Sequence, residues 1–179
     1  MRVIGGEFRS RLLKSLPGLD VRPTPDRLRE ALFNVLAPRI EGSVFLDAYA
    51  GTGAVGIEAL SRGASRAIFI EQNRAAVQVI RENLRSLGLE GRAQVRHGRA
   101  AAVLAQLAGP IDIVFVDPPY RLESEYERVL TILSEKPPSL VIVQHSVHLE
   151  LAESYGGLKR SRVLKQGDNA LSFFERQFT

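Results

Sequence analysis

The chain has 179 residues, of which 45% are hydrophobic and 25% charged, so it can bury the core of one domain and is not expected to be disordered. It contains no cysteine, which excludes disulfide bonds and thiolate metal sites and favours a reducing, intracellular setting. The formal net charge of +4 and the sequence pI of about 9.8 favour a polyanionic partner.

We expect one domain over residues 1–179, with a basic extension over residues 1–40 and a core over residues 41–179. Residues 1–39 carry eight basic and four acidic side chains, an excess equal to that of the whole chain. Seven of these eight basic side chains are arginine, whose planar group suits phosphate. A polyanion therefore has a candidate binding segment at the start of the chain.

A small hairpin is predicted around Gly5-Gly6. A helix is predicted over residues 24–36, with Thr24 as its cap, Pro25 in its first turn and Pro38 ending it. Five arginines of the hairpin and the helix start are the candidate phosphate contacts, namely Arg9, Arg11, Arg22, Arg27 and Arg29. The alternative is an ordinary charged, solvated helix face.

Residues 44–56 are typical of a buried strand that turns into a helix through glycines. Gly51 and Gly53 permit backbone conformations that side chains forbid, and the backbone N–H groups at the helix start would line a concavity for an anionic or polar ligand. The pattern matches the dinucleotide fingerprint. However, Asp47 at the strand end would repel a pyrophosphate and suits a cationic ligand such as S-adenosylmethionine. A ligand-free turn is the remaining alternative.

Glu71 ends a second predicted strand, over residues 67–70, about 20 residues after the glycines, where an acidic side chain can bind ribose hydroxyls. The alternative is a charge at a helix start, because Asn73 could cap the helix that follows. That helix is predicted over residues 74–87. A weak third strand over residues 93–96 then leads to His97-Gly98-Arg99 and a helix over residues 100–107.

A fourth strand, over residues 111–116, delivers Asp117-Pro118-Pro119-Tyr120. Two consecutive prolines hold the backbone extended and leave its carbonyl groups free to accept hydrogen bonds. The alternative is merely a stiff strand exit, which would not require flanking Asp and Tyr residues.

The remaining predicted elements are a helix over residues 125–133, a strand over 140–143, and two strands over 158–165 and 170–178 that form a hairpin. Strands alternating with helices predict an α/β fold, a Rossmann-like three-layer αβα sandwich. Its seven-stranded sheet would be mostly parallel, with an antiparallel C-terminal hairpin and a small N-terminal hairpin and helix extension.

These motifs resemble those of the class I S-adenosylmethionine-dependent methyltransferases, and in particular the bacterial 16S ribosomal RNA guanine-N2 methyltransferases. The likeness covers nearly the whole chain. It comprises Arg-Val-Ile-Gly-Gly at the start, residues 22–34 (RPTPDRLREALFN), 46–53 (LDAYAGTG), 58–64 (EALSRGA), Glu71 and residues 117–120 (DPPY). The glycine turn and the Asp-Pro-Pro-Tyr box occur in many amino-group methyltransferases, whereas the N-terminal block narrows the resemblance to this family.

The resemblance implies S-adenosylmethionine as cofactor and 16S rRNA as partner, within small-subunit particles. Its implied cofactor residues are Asp47, Tyr49, Ala50, Gly51, Thr52 and Gly53 at the methionine part, Glu71 with Gln72 and Asn73 at the ribose, and Gly98, Arg99 and Ala100 at the adenine. The acidic residue that often contacts adenine has no counterpart at His97-Gly98-Arg99. Asp117, Pro118, Pro119 and Tyr120 would hold the target amino group, and the five arginines would bind RNA.

The expected chemistry follows from the target, because the lone pair of an exocyclic amine is delocalised into the base. Hydrogen bonds accepted by the Asp117 side chain and the Pro118 carbonyl would localise that lone pair and align it with the methyl group. Tyr120 would stack on the extruded base. No metal is expected, since the three histidines lack ligand companions.

Other functions remain open at this point. They are another RNA or DNA amino-group (N6-adenine) methyltransferase, an NAD-dependent oxidoreductase on the same glycine pattern, and a non-catalytic RNA-binding module. No run approaches membrane-spanning length and no signal peptide is recognisable, so we expect a cytoplasmic protein. We expect it to be a monomer.

Overall fold

The computed structural model describes residues 1–18, 24–119 and 121–178. Within these residues five helices are α1 (Asp26–Ile40), α2 (Ala54–Ser61), α3 (Arg74–Ser86), α4 (Ala100–Gln106) and α5 (Glu123–Glu135). Eight strands are β1 (Val44–Asp47), β2 (Arg66–Glu71), β3 (Ala93–His97), β4 (Ile113–Val116), β5 (Leu140–Ser146), β6 (Ser154–Tyr155), β7 (Leu158–Gln166) and β8 (Asn169–Arg176). No helix in these ranges is long and apolar enough to cross a membrane.

All eight strands form one sheet in the order β3-β2-β1-β4-β5-β8-β7-β6. Strands β1 to β5 pair in parallel, whereas β8, β7 and β6 pair antiparallel. Neighbouring side chains in β1 point to opposite faces, so Phe45 packs in a core with α1, α2 and α3 while Leu46 packs in a core with α4 and α5. Helices therefore cover both faces, as the predicted three-layer fold requires.

The chain reverses its direction of winding between β1 and β4. From β1 it proceeds to β2 and β3 on one side, and from β3 it crosses back to β4 on the other. Asp47 lies opposite Phe115 in the β1–β4 register, and the Ala48 N–H donates to the Phe115 carbonyl at 3.0 Å. The loops that leave β1 and β4 are therefore neighbours, at the position where ligands bind in open α/β sheets.

Several local predictions were wrong. Among the described residues the sheet has eight strands rather than seven, because Ser154–Tyr155 adds a two-residue strand to β7. Helix α1 starts at Asp26, after Pro25. Thr24 does not cap it but lies with its hydroxyl 3.4 Å from Gln144 Oε1.

Pro38 does not end α1, which continues to Ile40. In the last turn of a helix proline removes only one backbone hydrogen bond, and buried Leu36 and Ile40 hold that turn on the core. The predicted N-terminal hairpin has a single bridge, between Arg2 and Leu12.

Candidate active site

The turn after β1 depends on glycine at three positions. Gly51 and Gly53 adopt φ values of 59° and 89°, in the left-handed region that other residues avoid. Gly56 lies where α2 crosses β2, and a Cβ atom there would come within 2.3 Å of the Phe69 ring. The glycines therefore serve both the turn and the close packing of the helix on the sheet.

Glu71 ties this turn to the loop after β2. Its two carboxylate oxygens accept hydrogen bonds from the Gly51 N–H at 2.9 Å and the Asn73 N–H at 2.7 Å. Asn73 caps α3, since its Oδ1 accepts from the Ala76 N–H at 3.0 Å. Asn73 therefore caps α3, and Glu71 at the end of β2 links that cap to the glycine turn. Each oxygen of Glu71 keeps acceptor capacity for a further hydroxyl group.

Asp47 lies behind the turn rather than in front of it. Its side chain is 1% exposed, and Oδ2 accepts from the Gly56 N–H at 3.3 Å in the first turn of α2. Oδ1 has no hydrogen-bond partner among the described residues. Burial and, to a smaller extent, the negative charge of Glu71 raise the pKa of Asp47 to about 7, and the hydrogen bond from the Gly56 backbone opposes this rise.

A cavity of about 660 Å³ lies in front of the turn, between the loops that follow the first four strands. This volume is within the usual range for a small-molecule site. Asp117, Pro118 and Pro119 form part of its wall. Eight of the twelve predicted cofactor residues also line it: Tyr49, Gly51, Glu71, Gln72, Asn73, Gly98, Arg99 and Ala100. The other four, Asp47, Ala50, Thr52 and Gly53, are buried beneath this wall.

Asp117 presents a second carboxyl group to the cavity from the end of β4. Its pKa is raised well above the usual value, first by desolvation and then by the negative charge of Asp47. The pKa values of both carboxyl groups are raised, so the ionised forms are unfavourable. A positive charge beside them would stabilise the ionised forms and lower both pKa values. The two carboxyl groups, one on the wall of the cavity and one buried behind the turn, therefore fit a cationic ligand such as S-adenosylmethionine.

Tyr49 and Glu125 join the two sides of the cavity, a contact that the sequence did not reveal. The Tyr49 hydroxyl donates to Glu125 Oε2 at 2.8 Å, and Glu125 Oε1 lies 3.6 Å from Arg128 Nη1. Burial and the hydrogen bond to Glu125 raise the pKa of Tyr49, so its hydroxyl remains a donor. This bridge connects the loop after β1 to the first turns of α5, just beyond the Asp-Pro-Pro segment.

The predicted adenine segment, residues 98–100, lines the cavity at the end of β3. The Gly98 N–H donates to the Glu71 carbonyl at 3.0 Å, which fixes the backbone of this loop against β2. A Cβ atom at Gly98 would lie 2.9 Å from Val103 Cγ2, so a larger residue would crowd α4. His97 instead contacts the Gln72 carbonyl through Nε2 at 2.9 Å.

Arg29 is not an RNA-binding residue, contrary to the prediction. It is fully buried, and Nη2 donates to the Arg2 carbonyl at 2.6 Å and to Asp26 Oδ1 at 3.2 Å. Its Nε lies 3.8 Å from Oε1 of Glu58, which is also fully buried. Burial lowers the pKa of Arg29, against the opposing effect of the two carboxylates. The residue belongs to the buried stripe of α1, between Leu28 and Leu32.

Glu58 is the anchor for the start of the chain. Its carboxylate accepts from the Ile4 and Gly5 N–H groups, both at 2.9 Å, and from Arg62 Nε at 2.8 Å. Further along, Asn83 accepts from the Lys14 N–H at 2.7 Å and donates to the Thr52 carbonyl at 3.1 Å. The N-terminal segment is therefore part of the support of the glycine turn.

The other predicted RNA-binding arginines divide into two places, and Arg22 lies outside the described residues. Arg9 and Arg11 are exposed near the C-terminal ends of α2 and α3, where Arg11 Nη2 donates to the Ser86 carbonyl at 3.2 Å. These helix ends face away from the cavity, because both helices run antiparallel to the strands. Arg27 is exposed in the first turn of α1, which starts beside Gln144 near the carboxyl end of β5 and therefore faces the cavity side.

Tyr120 also lies outside the described residues, so its predicted stacking role stays a prediction. Within the described part of the chain, no cluster of three or more His, Cys, Asp or Glu side chains could hold a metal ion. His145 is buried at the end of β5, with Nε2 2.7 Å from Ser172 Oγ and Nδ1 2.7 Å from the Ser146 carbonyl.

Comparison with known proteins gives a match along most of the chain. A family profile described as "Conserved hypothetical protein 95" matches residues 1–175. Ribosomal RNA small subunit methyltransferase D of Escherichia coli is 49% identical over 121 residues, which are 68% of this chain and 61% of that protein. Its namesake from Haemophilus influenzae is 36% identical over 80% of this chain and 78% of its own length.

Solved structures extend the similarity to the whole fold. The Escherichia coli protein yhhF superposes with a TM-score of 0.87 at 40% sequence identity, covering 99% of this chain and 98% of that one. The Haemophilus influenzae protein HI0767 gives a TM-score of 0.82 at 30% identity, covering 98% and 97% of the two chains.

Proposed function

Because the chain belongs to the family described as conserved hypothetical protein 95, we propose that it is an S-adenosylmethionine-dependent rRNA methyltransferase. Its target would be the exocyclic N2 amino group of a guanine in 16S rRNA, within small-subunit particles. The observation that carries the proposal is the shared cavity, into which the turn after β1 and the Asp-Pro-Pro segment after β4 both open. The enzyme would act as a monomer in the cytoplasm, where its rRNA substrate is found.

The cofactor supplies an electrophilic methyl group when it is bound. Glu71 would accept hydrogen bonds from the ribose hydroxyls, and the backbone of Gly98, Arg99 and Ala100 would contact the adenine. The buried carboxyl group of Asp47 orients the first turn of α2 through Gly56. Together these groups would hold a cationic nucleoside in the cavity.

Asp117 and the Pro118 carbonyl would accept the two hydrogen bonds of the target amine. These acceptors draw the nitrogen toward tetrahedral geometry, so its lone pair becomes available for in-line attack. The nitrogen must lose a proton after it gains the methyl group. A carboxylate oxygen of Asp117 can hold that proton, because burial raises the pKa of this side chain.

The RNA would approach from the edge of the sheet where the strands reach their carboxyl ends. Arg27 is exposed at this edge and suits a phosphate contact close to the target base. Arg9 and Arg11, on the opposite side, would bind RNA only where the substrate extends around the molecule. The names of the relatives support small-subunit rRNA as the substrate.

A nicotinamide-dependent oxidoreductase is disfavoured by the carboxyl groups of Asp47 and Asp117. A pyrophosphate next to them would add negative charge where ionisation is already unfavourable. A larger thermal shift with NAD than with S-adenosylhomocysteine would reverse this preference.

The test is incubation of the protein with methyl-labelled S-adenosylmethionine and either deproteinised 16S rRNA or small-subunit particles that lack the modification. Nucleoside analysis should find label in N2-methylguanosine. Label in N6-methyladenosine would assign the enzyme to the alternative class of amino-group methyltransferases. Absence of label from both substrates, with cofactor binding intact, would contradict the proposal.

A further inference from the structure

The strand β7 carries a concentration of positive charge that the cavity does not use. Residues 158–166 include four basic side chains and no acidic one, namely Lys159, Arg160, Arg162 and Lys165. Together with residues 1–39 they account for the basic character of the chain, because the remaining residues hold twelve basic and sixteen acidic side chains. A polyanion therefore meets positive charge on β7 as well as on the N-terminal segment.

Most of β7 forms an open edge of the sheet. It pairs with β8 along its length, whereas on its other side β6 pairs with Leu158 and Lys159 and the Arg160 N–H donates to the Glu153 carbonyl at 2.8 Å. Arg162 and Lys165 are exposed on this part of β7, one on each face of the sheet because they are three residues apart, and Val163 between them is 40% exposed. Within the described parts of the chain neither Arg162 nor Lys165 forms an ion pair with a carboxylate.

The upper end of β7 is level with the active site. Lys165 pairs with Ala170, which pairs with His145 of β5. Val116, the residue before Asp117, pairs with Val143 of β5, so Lys165 is within about two residues of the height of Asp117. Three inter-strand spacings separate β4 from β7, or roughly 14 Å.

The position of β7 relative to the predicted cofactor loops also favours a contact with RNA. β5, β8 and β7 extend from β4 in the direction opposite to the strands that carry the predicted cofactor loops. An RNA whose target base enters beside Asp117 can therefore continue over β5 and β8 toward β7 without crossing the cofactor. Arg27, at the start of α1 near the end of β5, lies along the same route.

We propose that Arg162 and Lys165, on the open edge of β7, bind the phosphate backbone of the RNA whose target base enters the cavity. This proposal rests on the proposed function, in that RNA is the substrate. Arg162 and Lys165 would attract and position the RNA but would not recognise its bases, because flexible basic side chains contact the phosphates of any nucleotide sequence. Basic residues also protect sheet edges against pairing with another chain, and the test separates this role.

The experiment compares the full-length double variant R162Q/K165Q with the matched variant R66Q/K136Q. Arg66 and Lys136 are also exposed, but lie at the start of β2 and just after α5, at the end of the sheet where the strands begin and far from the cavity. Binding of deproteinised 16S rRNA is measured as a function of salt concentration. We expect R162Q/K165Q to weaken binding about tenfold at low salt and to reduce the salt slope by roughly one for each lost contact. R66Q/K136Q should behave as the wild type.

Equal affinities and equal salt slopes for the two variants would overturn the proposal. Oligomers of R162Q/K165Q with unchanged RNA affinity would overturn it too, and would assign the basic residues to edge protection. Unchanged binding of S-adenosylhomocysteine by both variants controls for folding of the cavity. Methyl transfer by the wild type is measured separately, so a failure of the proposed function is distinguishable from a failure of the RNA contact.

Discussion

The loops that follow β1 and β4 lie side by side but are built in different ways. Side chains form hydrogen bonds that fix the turn after β1. Glu71 accepts from the Gly51 N–H, Asp47 accepts from the Gly56 N–H, and Asn83 donates to the Thr52 carbonyl. The loop after β4 offers the Asp117 carboxyl group, for which no hydrogen-bond donor exists among the described residues. Hydrogen bonds within the protein fix the loop after β1, whereas the acceptor groups of the loop after β4 are available to a ligand.

This difference implies a division between stability and activity. Substitutions in the support of the first loop should lower the free energy of unfolding, because they leave buried groups unpaired or overpacked. A substitution of Asp117 should not lower the free energy of unfolding but should lower the rate of methyl transfer. The bridge from Tyr49 to Glu125 joins the two loops, and its loss should have a smaller effect than either kind of substitution.

Among substitutions that affect the support of the loop after β1, E58Q should lower the free energy of unfolding most. The substitution leaves Arg29 buried without its fully buried counter-charge and weakens the anchor of the first residues. Breaking a buried pair in this way costs about 3–5 kcal/mol of unfolding free energy. Urea denaturation should measure this loss. The control is E175Q in the exposed pair with Arg39, where the loss should be below about 1 kcal/mol.

D117A should lower kcat for methyl transfer by about 10²–10³-fold, because the amine loses its charged acceptor. Binding of S-adenosylhomocysteine should be nearly unchanged, and unfolding should require as much urea as for the wild type or more, since burial disfavours the carboxylate. Single-turnover kinetics and calorimetry provide the two measurements. Full activity in D117A would mean that the loop after β4 does not hold the target.

D47N should change the pH dependence of stability. The folded-state pKa of Asp47 is about 7 against an ordinary value of 3.8, so the folded protein retains a proton that the unfolded chain has lost in this interval. Its contribution to stability is therefore present below about pH 4 and is lost as the pH rises to about 7. The slope is at most about 1.4 kcal/mol per pH unit.

Unfolding of wild type and D47N between pH 4 and 8 should show the variant gaining relative stability up to about pH 7 and no further change above it. D168N, at the exposed tip of the hairpin between β7 and β8, should leave the wild-type slope unaltered. A constant difference between wild type and D47N over the whole interval would show that Asp47 ionises normally.

G56A should destabilise the fold by about 1–3 kcal/mol, because the added methyl group would overlap the Phe69 ring. G91A is the matched control: no atom lies within 4 Å of a Cβ built there, and no positive φ is required. Denaturation should find G91A close to the wild type. Equal stability of the two variants would mean that α2 can move away from β2 at little cost.

Y49F should have the smallest effect, a decrease in kcat of roughly tenfold or less. The substitution keeps the ring and removes one hydrogen bond to a charged group, worth about 1 kcal/mol at a partly exposed position. Y155F removes a hydroxyl that accepts from the Ala152 N–H outside the cavity and should leave kcat unaffected. If Y49F and Y155F behave alike, the bridge does not position the loop after β4.

Much of the fold and the facing loops could be predicted because their signals are local. Apolar runs such as residues 113–116 specify buried strands, and glycines and prolines mark where those strands end. Parallel strands present their carboxyl ends at the same end of a sheet, so the pattern of strands predicts that the glycine turn and the Asp-Pro-Pro segment open at one end. The pairing of β1 with β4 brings these two loops side by side.

The remaining features depend on contacts between residues far apart in the chain. Arg29 is charged in a basic segment, and nothing local indicates that Glu58 neutralises it in the core; only its position between Leu28 and Leu32 gave a signal. Tyr49 and Glu125 are 76 residues apart. Helix α1 passes Pro38 because the core holds its last turn, which a local rule for proline cannot include.

The most direct test of the account is a crystal structure of the protein with S-adenosylhomocysteine. We expect the nucleoside in the cavity between the two loops, with its ribose hydroxyls at Glu71 and its sulfur facing Asp117 and Pro118. A nucleoside bound elsewhere, or a sulfur separated from Asp117 by protein atoms, would contradict the claim that these two loops meet across one reaction site.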